Sequence, residues 1–412
     1  MSQSHPASTV SATERRLAAA TVGPSGRLYS LDAFRGAVML LLVFFDGPNG
    51  DWRRPIAEAH QNLPWVAATL RQFEHAEWAG LALWDMIQPA FMFAVGASLA
   101  LSYAARSGRG QTYWRMFGHA VYRAVLLILL GVFLRSVHRH STYWTLEDVI
   151  SQIGLGYIPL FLLCRRGWKV QLGAVAAILI GYWALFAFWP TPDAAYDYAA
   201  VNGHAYYEGF QAHWNKNAHP AHYFDQWLLN LFPREAPFVA NAGGYNTLNF
   251  VPSLATMILG LVCGELLGGS RPARDKLLRL LAGGSGCILA GVALHYAGVC
   301  PIVKKIWTPS FTLLSAGVCM DVLAPLYAII DVGGWRRWAF PAIVVGQNSI
   351  AAYAMIHLIA HWTLAALHRH LGEGLFVLPG EPYRQLAENL AVGAVVWLIC
   401  YWMYRRRIFL RI

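Results

Sequence analysis

Charged side chains are scarce in this chain: Asp, Glu, Lys and Arg together make up 13% of its 412 residues. An average soluble domain contains roughly twice that share. Hydrophobic residues account for 57%, and the mean hydropathy is +0.39. The shortage of charge therefore excludes an ordinary soluble globule and predicts a protein that lies in a bilayer.

Cysteine is also rare, with six residues, and no two of them have the spacing of a metal site or a disulfide framework. Most lie within apolar runs, which predicts structural thiols at Cys164, Cys263, Cys287, Cys300, Cys319 and Cys400. Four histidines also lack the HxxxH or HExxH spacing of metal ligands, namely His204, His213, His219 and His222. No metal is expected.

Long apolar runs are the main feature that is present. A helix needs about 20 apolar residues to cross the hydrocarbon core. On this criterion the sequence predicts about ten spans, at roughly 31–47, 79–104, 119–137, 149–164, 170–189, 248–268, 277–298, 309–331, 339–365 and 387–404. The fold class is all-α and polytopic, because continuous runs do not alternate as barrel strands do. Residues 1–26 lack an apolar core and are predicted to form a disordered tail before a transmembrane domain at 27–412.

The net charge of +10 raises the question of whether the protein binds nucleic acid. However, the basic residues form short clusters between apolar runs, as in cytoplasmic loops. With a cytoplasmic N-terminus, 20 of the 32 Lys and Arg residues fall on the inner side and 11 on the outer side. We therefore expect no nucleic-acid partner, both termini in the cytoplasm, and a large extracytoplasmic loop at about 190–247.

His75 is the first candidate for chemistry, since it precedes the second span at the outer interface. A neutral imidazole can take a proton from a nucleophile or attack an acyl group itself. The alternative is a lone interfacial histidine that has no role beyond a hydrogen bond to a backbone carbonyl. If residues 75–85 are helical, Asp85 lies about 15 Å deeper and cannot orient the ring. Asp46, at the end of the first span, is the expected partner of His75, and Asp85 a buried structural carboxylate.

Several other polar residues lie in or beside the spans. Asp32 and Arg35 are expected to form a local ion pair, and Gly36 and Gly96 to allow close helix approach. Gln152 is a buried amide that needs partners. Asn348 has two interpretations, an interhelical hydrogen bond or polarisation of a substrate carbonyl. The dibasic pair Lys304 and Lys305 either binds an anion or forms a solvated interfacial pair.

Taken together, these stretches resemble the heparan-α-glucosaminide N-acetyltransferase family. The resemblance covers nearly the whole membrane domain, and the matching stretches are Ser30 to Gly36, His75 to Gly80, Asp85 to Ser98, Gln152 to Gly154, Lys304 to Ser310, Gly346 to Ser349 and the basic end at Arg406 and Arg407. Two positions depart from the family pattern: Asp46 stands where Asn is usual, and Ala79 where Asn or His is usual. The acceptor is therefore left open.

The resemblance implies transfer of an acetyl group from cytoplasmic acetyl-CoA to an amine or hydroxyl of an extracytoplasmic sugar or glycan. It places the active-site histidine at His75, as general base or acyl carrier, with Asp46 to orient or charge-stabilise it. Binding of the substrate or acyl-CoA is expected from Asn348, Lys304, Lys305, Gln152, Asp85 and Trp78. Acetyl-CoA is the co-substrate, and a homodimer stays open. The expected location is a bacterial cytoplasmic membrane.

Two other classes of function remain at this stage. A transporter or flippase would move a glycan or a lipid-linked sugar without acyl transfer and without need of CoA. A scaffold subunit of an envelope complex would neither move a glycan nor need CoA, and this function would leave the buried polar residues unexplained.

Overall fold

A computed structural model describes residues 27–48, 50–193 and 195–410. The predicted tail at 1–26 lies outside these residues. The described part of the chain is helical, and its α-helices are α1 (Tyr29–Phe45), α2 (Arg53–Ala59), α3 (Pro64–Arg71), α4 (Ile87–Ser107), α5 (Tyr113–Ser136), α6 (Val149–Leu163), α7 (Trp168–Ala187), α8 (Pro220–Leu229), α9 (Phe250–Gly268), α10 (Ala273–Tyr296), α11 (Pro309–Leu326), α12 (Phe340–Gly346), α13 (Ser349–Leu371), α14 (Gly374–Val377) and α15 (Arg384–Arg405).

Eight helical segments in the described residues are long and apolar enough to cross a membrane. They are Leu83–Ser107, Tyr113–Ser136, Trp168–Ala187, Thr247–Gly268, Ala273–Tyr296, Pro309–Val332, Ser349–Leu371 and Glu381–Arg405. This confirms a polytopic helical membrane protein. The other two predicted spans correspond to α1, with 17 residues, and α6, with 15 residues. At 1.5 Å per residue, α6 reaches only about 22 Å, which is less than a hydrocarbon core of about 30 Å.

The predicted span at 339–365 is interrupted. Helix α12 ends at Gly346 and α13 begins at Ser349, so Gln347 and Asn348 form a break between two helices. The backbone of Asn348 has φ −127° and ψ 35°, outside the helical region. The prediction of one continuous helix was therefore wrong at this point, and the reason is that apolar composition does not reveal a two-residue interruption.

Glycines set the closest helix crossings. A Cβ on Gly36 of α1 would collide with the carbonyl of Ala342 in α12, and one on Gly96 of α4 would collide with the carbonyl of Met257 in α9. These contacts confirm the predicted close approach at Gly36 and Gly96, where small residues let two backbones meet. The α4–α9 pair lies at the centre of the apolar core, with Phe93 and Met257 fully buried.

One end of the bundle carries both chain ends of the described structure and is called the terminal face here. The backbone N–H groups of Tyr29 and Ser30 donate to the Asp331 carboxylate. The Asn348 amide donates to the Ile408 carbonyl, at 3.1 Å between nitrogen and oxygen. Asn348 thus fastens the C-terminal segment to the break between α12 and α13. The predicted ion pair of Asp32 with Arg35 also lies here, at 3.2 Å.

The opposite end is called the His75 face, and the segment from about 190 to 247 folds over it. This segment contains α8 and short 3-10 turns at Ala199–Val201 and Gly209–Trp214. Its backbone is fastened from within, since the Asn217 amide donates to the carbonyls of Val201 and Asn241. The buried Trp214 contacts the apolar cluster that also contains Trp78. The loop is therefore part of the packed structure around His75.

Candidate functional site

The segment that carries His75 is not helical between α3 and the 3-10 turn at Leu83–Met86. It folds back on itself, with Trp84 N–H donating to the Gln72 carbonyl at 2.8 Å. It also pairs with a distant strand-like segment, through a bridge between Ala79 and Val303. Gly80 takes φ +121°, which a residue with a Cβ rarely adopts. This turn brings Asp85 back beside His75.

Asp85 is the direct partner of His75. The distance from His75 Nδ1 to Asp85 Oδ1 is 2.8 Å. The other carboxylate oxygen of Asp85 accepts backbone N–H groups from Ala76 and Ala82, at 3.1 and 3.0 Å. The expectation of a 15 Å separation was wrong, because it assumed a helix from 75 to 85. Asp46 makes no hydrogen bond to His75 in the described structure, so the expectation that Asp46 orients the ring is corrected as well.

Lys304 completes a charged cluster with these two residues. Its Nζ lies 3.0 Å from His75 Nδ1 and 3.6 Å from Asp85 Oδ1. The ammonium also lies 5.6 Å from the centre of the Tyr245 ring. The Lys304 residue is only 5% exposed, and this burial lowers its pKa to about 8. Lys304 therefore places a buried amine beside His75, which in its protonated form can bind an anion or a carbonyl oxygen.

The hydrogen bonds around His75 determine which ring nitrogen is free. Nδ1 cannot donate to Asp85 and accept from Lys304 at the same time, and the ammonium has Asp85 as its anionic partner. We therefore assign the Nδ1–H tautomer, which puts the lone pair on Nε2, 3.5 Å from the Lys304 Nζ. Burial lowers the pKa of His75, the hydrogen bond to Asp85 raises it, and the Lys304 charge lowers it further, with a net decrease. A neutral imidazole with its lone pair on Nε2 is the form that can accept a proton.

These groups meet in a cavity of about 480 Å³ on the His75 face. This volume lies within the range of small-molecule sites. The His75 side chain is 39% exposed, and it lines this cavity. The remaining lining residues are Leu42, Asp46, Trp84, Ile87, Gln88, Phe91, Arg135, Glu147, Asp148, Val149, Asn241, Gly243, Tyr245, Lys304, Tyr353 and His357. The first residues of the short helix α6 form part of its wall.

Of the candidates from sequence, the cavity collects His75, Asp46 and Lys304. Asp85 lies directly behind His75. Gln152 does not line the cavity but lies behind Gln88, which does. The amide oxygen of Gln152 accepts from Gln88 at 3.1 Å, and its amide nitrogen donates to the Asn246 carbonyl at 3.2 Å.

Three other candidates do not line this cavity. Asn348 lies at the terminal face, where its amide also accepts the Leu410 N–H at 3.1 Å. The residues to which it bonds, Ile408 and Leu410, belong to the segment after α15, and a role of Asn348 in substrate binding stays a prediction. Trp78 is buried and donates to the Trp214 carbonyl, which anchors the His75 segment. Lys305 donates to the Glu77 carbonyl at 2.7 Å, and this bond also anchors the His75 segment.

Sequence reasoning missed the wall contributed by the loop at 190–247. Asn241, Gly243 and Tyr245 line the cavity, and the Asn241 side chain accepts the N–H groups of Gly243 and Tyr245. The signal was the Asn- and Gly-rich run just before α9, which is typical of a tight, specific turn. Asp148 also lines the cavity, and it caps α6 by accepting from the N–H groups of Ile150 and Ser151.

A second cavity of about 80 Å³ lies nearer the terminal face. Arg35 and Arg123 line it, and it shares Phe91, Val149 and Tyr353 with the larger cavity. The two cavities are therefore adjacent, and these three side chains stand where they meet. The Arg123 Nε atom is buried and has no hydrogen-bond partner in the described part of the chain.

Comparison with known proteins gives a consistent result. No protein-family model matches the chain. Two heparan-α-glucosaminide N-acetyltransferases are similar to it, the Homo sapiens protein at 25% identity over 434 residues and the Mus musculus protein at 24% over 435 residues. Each alignment covers 94% of this chain, and 60% or 61% of the relative, so the chain spans about three fifths of their length. The chain is therefore similar to these heparan-α-glucosaminide N-acetyltransferases along nearly its whole length.

Proposed function

We propose that the protein is a membrane acetyltransferase that moves an acetyl group from acetyl-CoA, bound from the terminal face, to an amine or hydroxyl of a sugar at the His75 face. The observation that carries this proposal is the hydrogen bond of His75 with Asp85, together with the ion pair of Asp85 with Lys304, at the wall of a ligand-sized cavity. The names of the two relatives support the reaction class. The expected orientation puts the His75 face outside a bacterial cytoplasmic membrane.

In this mechanism His75 Nε2 is the general base. It accepts the proton of the acceptor amine or hydroxyl as that atom attacks the thioester carbonyl carbon. Asp85 fixes the ring in the required tautomer and stabilises the imidazolium that forms, as the carboxylate does in an Asp–His pair. The imidazolium then protonates the sulfur as the carbon–sulfur bond breaks. Lys304 lines the cavity beside the ring, where its N–H groups can bind the carbonyl oxygen as negative charge develops.

The donor would enter from the second cavity. Arg35 and Arg123 line that cavity, and guanidinium groups suit phosphate recognition. Its volume of about 80 Å³ is below that of a small-molecule site, so donor binding requires the helices around it to separate. The phosphates would stay with the arginines, and the thioester end would pass Phe91, Val149 and Tyr353 to reach His75.

The test is transfer of labelled acetyl from acetyl-CoA to a panel of amino sugars and glycan fragments in liposomes. Wild type and His75→Ala are compared, with His140→Ala as the matched control, since His140 is exposed and does not line the cavity. We expect labelled product from wild type and the control, and a loss of at least 100-fold in His75→Ala, in line with general-base removal at roughly 10²–10⁴-fold. Product from His75→Ala at wild-type rate contradicts the assignment of the base.

A second measurement separates loss of chemistry from loss of donor binding. CoA at 100 times its dissociation constant stabilises a folded binder by about 2.7 kcal/mol. We expect this stabilisation of both wild type and His75→Ala in detergent. Absence of stabilisation together with absence of product from wild type would contradict acetyl transfer and favour a transporter or flippase.

A further inference from the structure

The short helix α8, in the segment at 190–247, has an apolar face that the rest of the protein does not cover. One face of α8 packs inward, with Leu229 buried. A different face carries Phe224, Trp227 and Leu228 at the spacing i, i+3, i+4, and Leu231 continues this row in the turn after α8. Trp227 is 61% exposed and Leu231 is 63% exposed. These four side chains are called the outer row, and their number in one place marks a contact surface.

The chain around the outer row has no exposed charge. Between Pro220 and Phe232 the only Asp, Glu, Lys or Arg is Asp225, which is 2% exposed. Its carboxylate accepts the N–H of Thr247 at 2.9 Å, inside the fold. An exposed face of Trp, Phe and Leu without charge is typical of a helix at the boundary between lipid and water, where Trp is enriched.

Three contacts place α8 at the level where membrane spans end on the His75 face. The His219 ring stacks on Phe186, near the end of α7, with ring centres 5.2 Å apart. The Tyr223 ring stacks on Trp189, just after α7, at 5.8 Å. Thr247, the partner of the α8 carboxylate, is the first residue of the next span. The helix therefore lies beside the ends of two spans.

We infer that α8 is an interfacial helix, and that lipid of the leaflet at the His75 face covers its outer row. The occupant follows from continuity with the bilayer-facing surface. Phe188 follows the last residue of α7 and is 82% exposed. The neighbouring Trp189 then stacks on α8, so the lipid-facing surface of α7 leads directly to the helix.

The same helix holds the part of the segment that reaches the cavity. The Gln226 amide donates to the Val239 carbonyl at 2.9 Å. The Asn230 side chain accepts the N–H of Phe238 at 2.7 Å and donates to its carbonyl at 3.0 Å. The cavity residues that follow in this run are Asn241, Gly243 and Tyr245. Lipid contact at the outer row therefore supports one wall of the cavity.

The depth of the outer row in the bilayer is the quantity to measure. Nitroxide labels are attached in liposomes at Trp227→Cys and Leu231→Cys, in a Cys287→Ser background because the other five cysteines are buried. Ala200→Cys, at an exposed position of the same segment, is the aqueous reference, and Ile180→Cys, at an exposed position of α7, is the lipid reference. Molecular oxygen concentrates in hydrocarbon and a nickel chelate stays in water, so their collision rates with a label report its depth.

We expect both labels of the outer row to lie about 5–10 Å below the headgroup level, between the two references. Collisions with the nickel chelate as frequent as at Ala200→Cys would overturn the inference, because the row would then face water. Protection from both reagents would also overturn it, because a protein surface, such as that of a second copy, would then cover the row. Depth is measured without substrate, so a failure of the proposed acetyl transfer does not affect this result.

A second variant tests whether apolar contact holds α8 at this depth. Trp227→Asp combined with Leu231→Asp puts two charges into the outer row, and a label at Leu228→Cys should move toward the aqueous reference. The matched control, Ala199→Asp combined with Ala200→Asp, adds the same charges at exposed positions of the same segment and should leave that label in place. The lipid reference label on α7 should keep its depth in both variants. An unchanged depth at Leu228→Cys would contradict lipid contact of the outer row.

Discussion

The replacement Asp85→Asn tests the site with the smallest change of shape. In the native structure one carboxylate oxygen accepts the N–H groups of Ala76 and Ala82, and the other faces His75 Nδ1 and Lys304. An asparagine has one acceptor oxygen, and the two backbone donors require it. Its NH₂ group must then point at His75 and donate to Nδ1. This forces the proton onto Nε2, which is the atom that has to accept one.

The expected loss follows from this tautomer change. Placing the proton on Nε2 removes the general base, which is worth roughly 10²–10⁴ in rate, or about 2.7–5.5 kcal/mol in activation free energy. The buried Lys304 also loses its anionic partner, which lowers its pKa further below about 8. We therefore expect a fall of at least 100-fold in kcat for acetyl transfer, with CoA-dependent thermal stabilisation retained.

The matched control for this variant is Asp331→Asn. Asp331 also accepts two backbone N–H groups, from Tyr29 and Ser30, but it lies at the terminal face and lines neither cavity. It measures the cost of weakening a backbone cap without touching His75. Single-turnover transfer of labelled acetyl in liposomes is the assay for both variants. A rate for Asp85→Asn within tenfold of wild type would refute the tautomer argument.

Two further variants test the surrounding charge and the packing. Lys304→Met removes a positive charge beside His75, which raises the pKa of the imidazole, so the acidic limb of the kcat/KM profile should move to higher pH. An unmoved limb would show that Lys304 does not influence the base. Gly96→Ala places a Cβ against the Met257 carbonyl, and overpacking of this kind costs about 1–3 kcal/mol. We expect a lower Tm in detergent, whereas Gly181→Ala, which meets no atom within 4 Å, should leave Tm unchanged or slightly raised.

The spans and the closest helix crossings were predictable from sequence because they depend on local composition. Apolar runs of about 20 residues predict transmembrane helices, and small residues at Gly36 and Gly96 predict close approach. The placement of His75 and Lys304 on one face could also be predicted from the sequence, since both precede apolar spans that run in the same direction. These inferences need no knowledge of long-range pairing.

The Asp85 contact could not be predicted in the same way. It depends on a turn at Gly80 and on pairing of Ala79 with Val303, which is more than 200 residues away along the chain. A helical spacing rule applied to residues 75–85 has no access to such pairing, so it gave the wrong distance. The cavity wall at Tyr245 was missed for the same reason, because the loop at 190–247 reaches the site only through the tertiary fold.

The arrangement of the two cavities bears on how a highly charged donor can serve a site at the opposite face. Phosphates are costly to place within the hydrocarbon core, so a donor that crossed entirely would need a polar channel. The structure instead has Arg35 and Arg123 at one cavity, and Phe91, Val149 and Tyr353 between it and the other. A thin thioester arm can pass such a constriction while the phosphates remain with the arginines. Under the proposed function the acetyl group therefore needs to cross this constriction, and CoA as a whole does not.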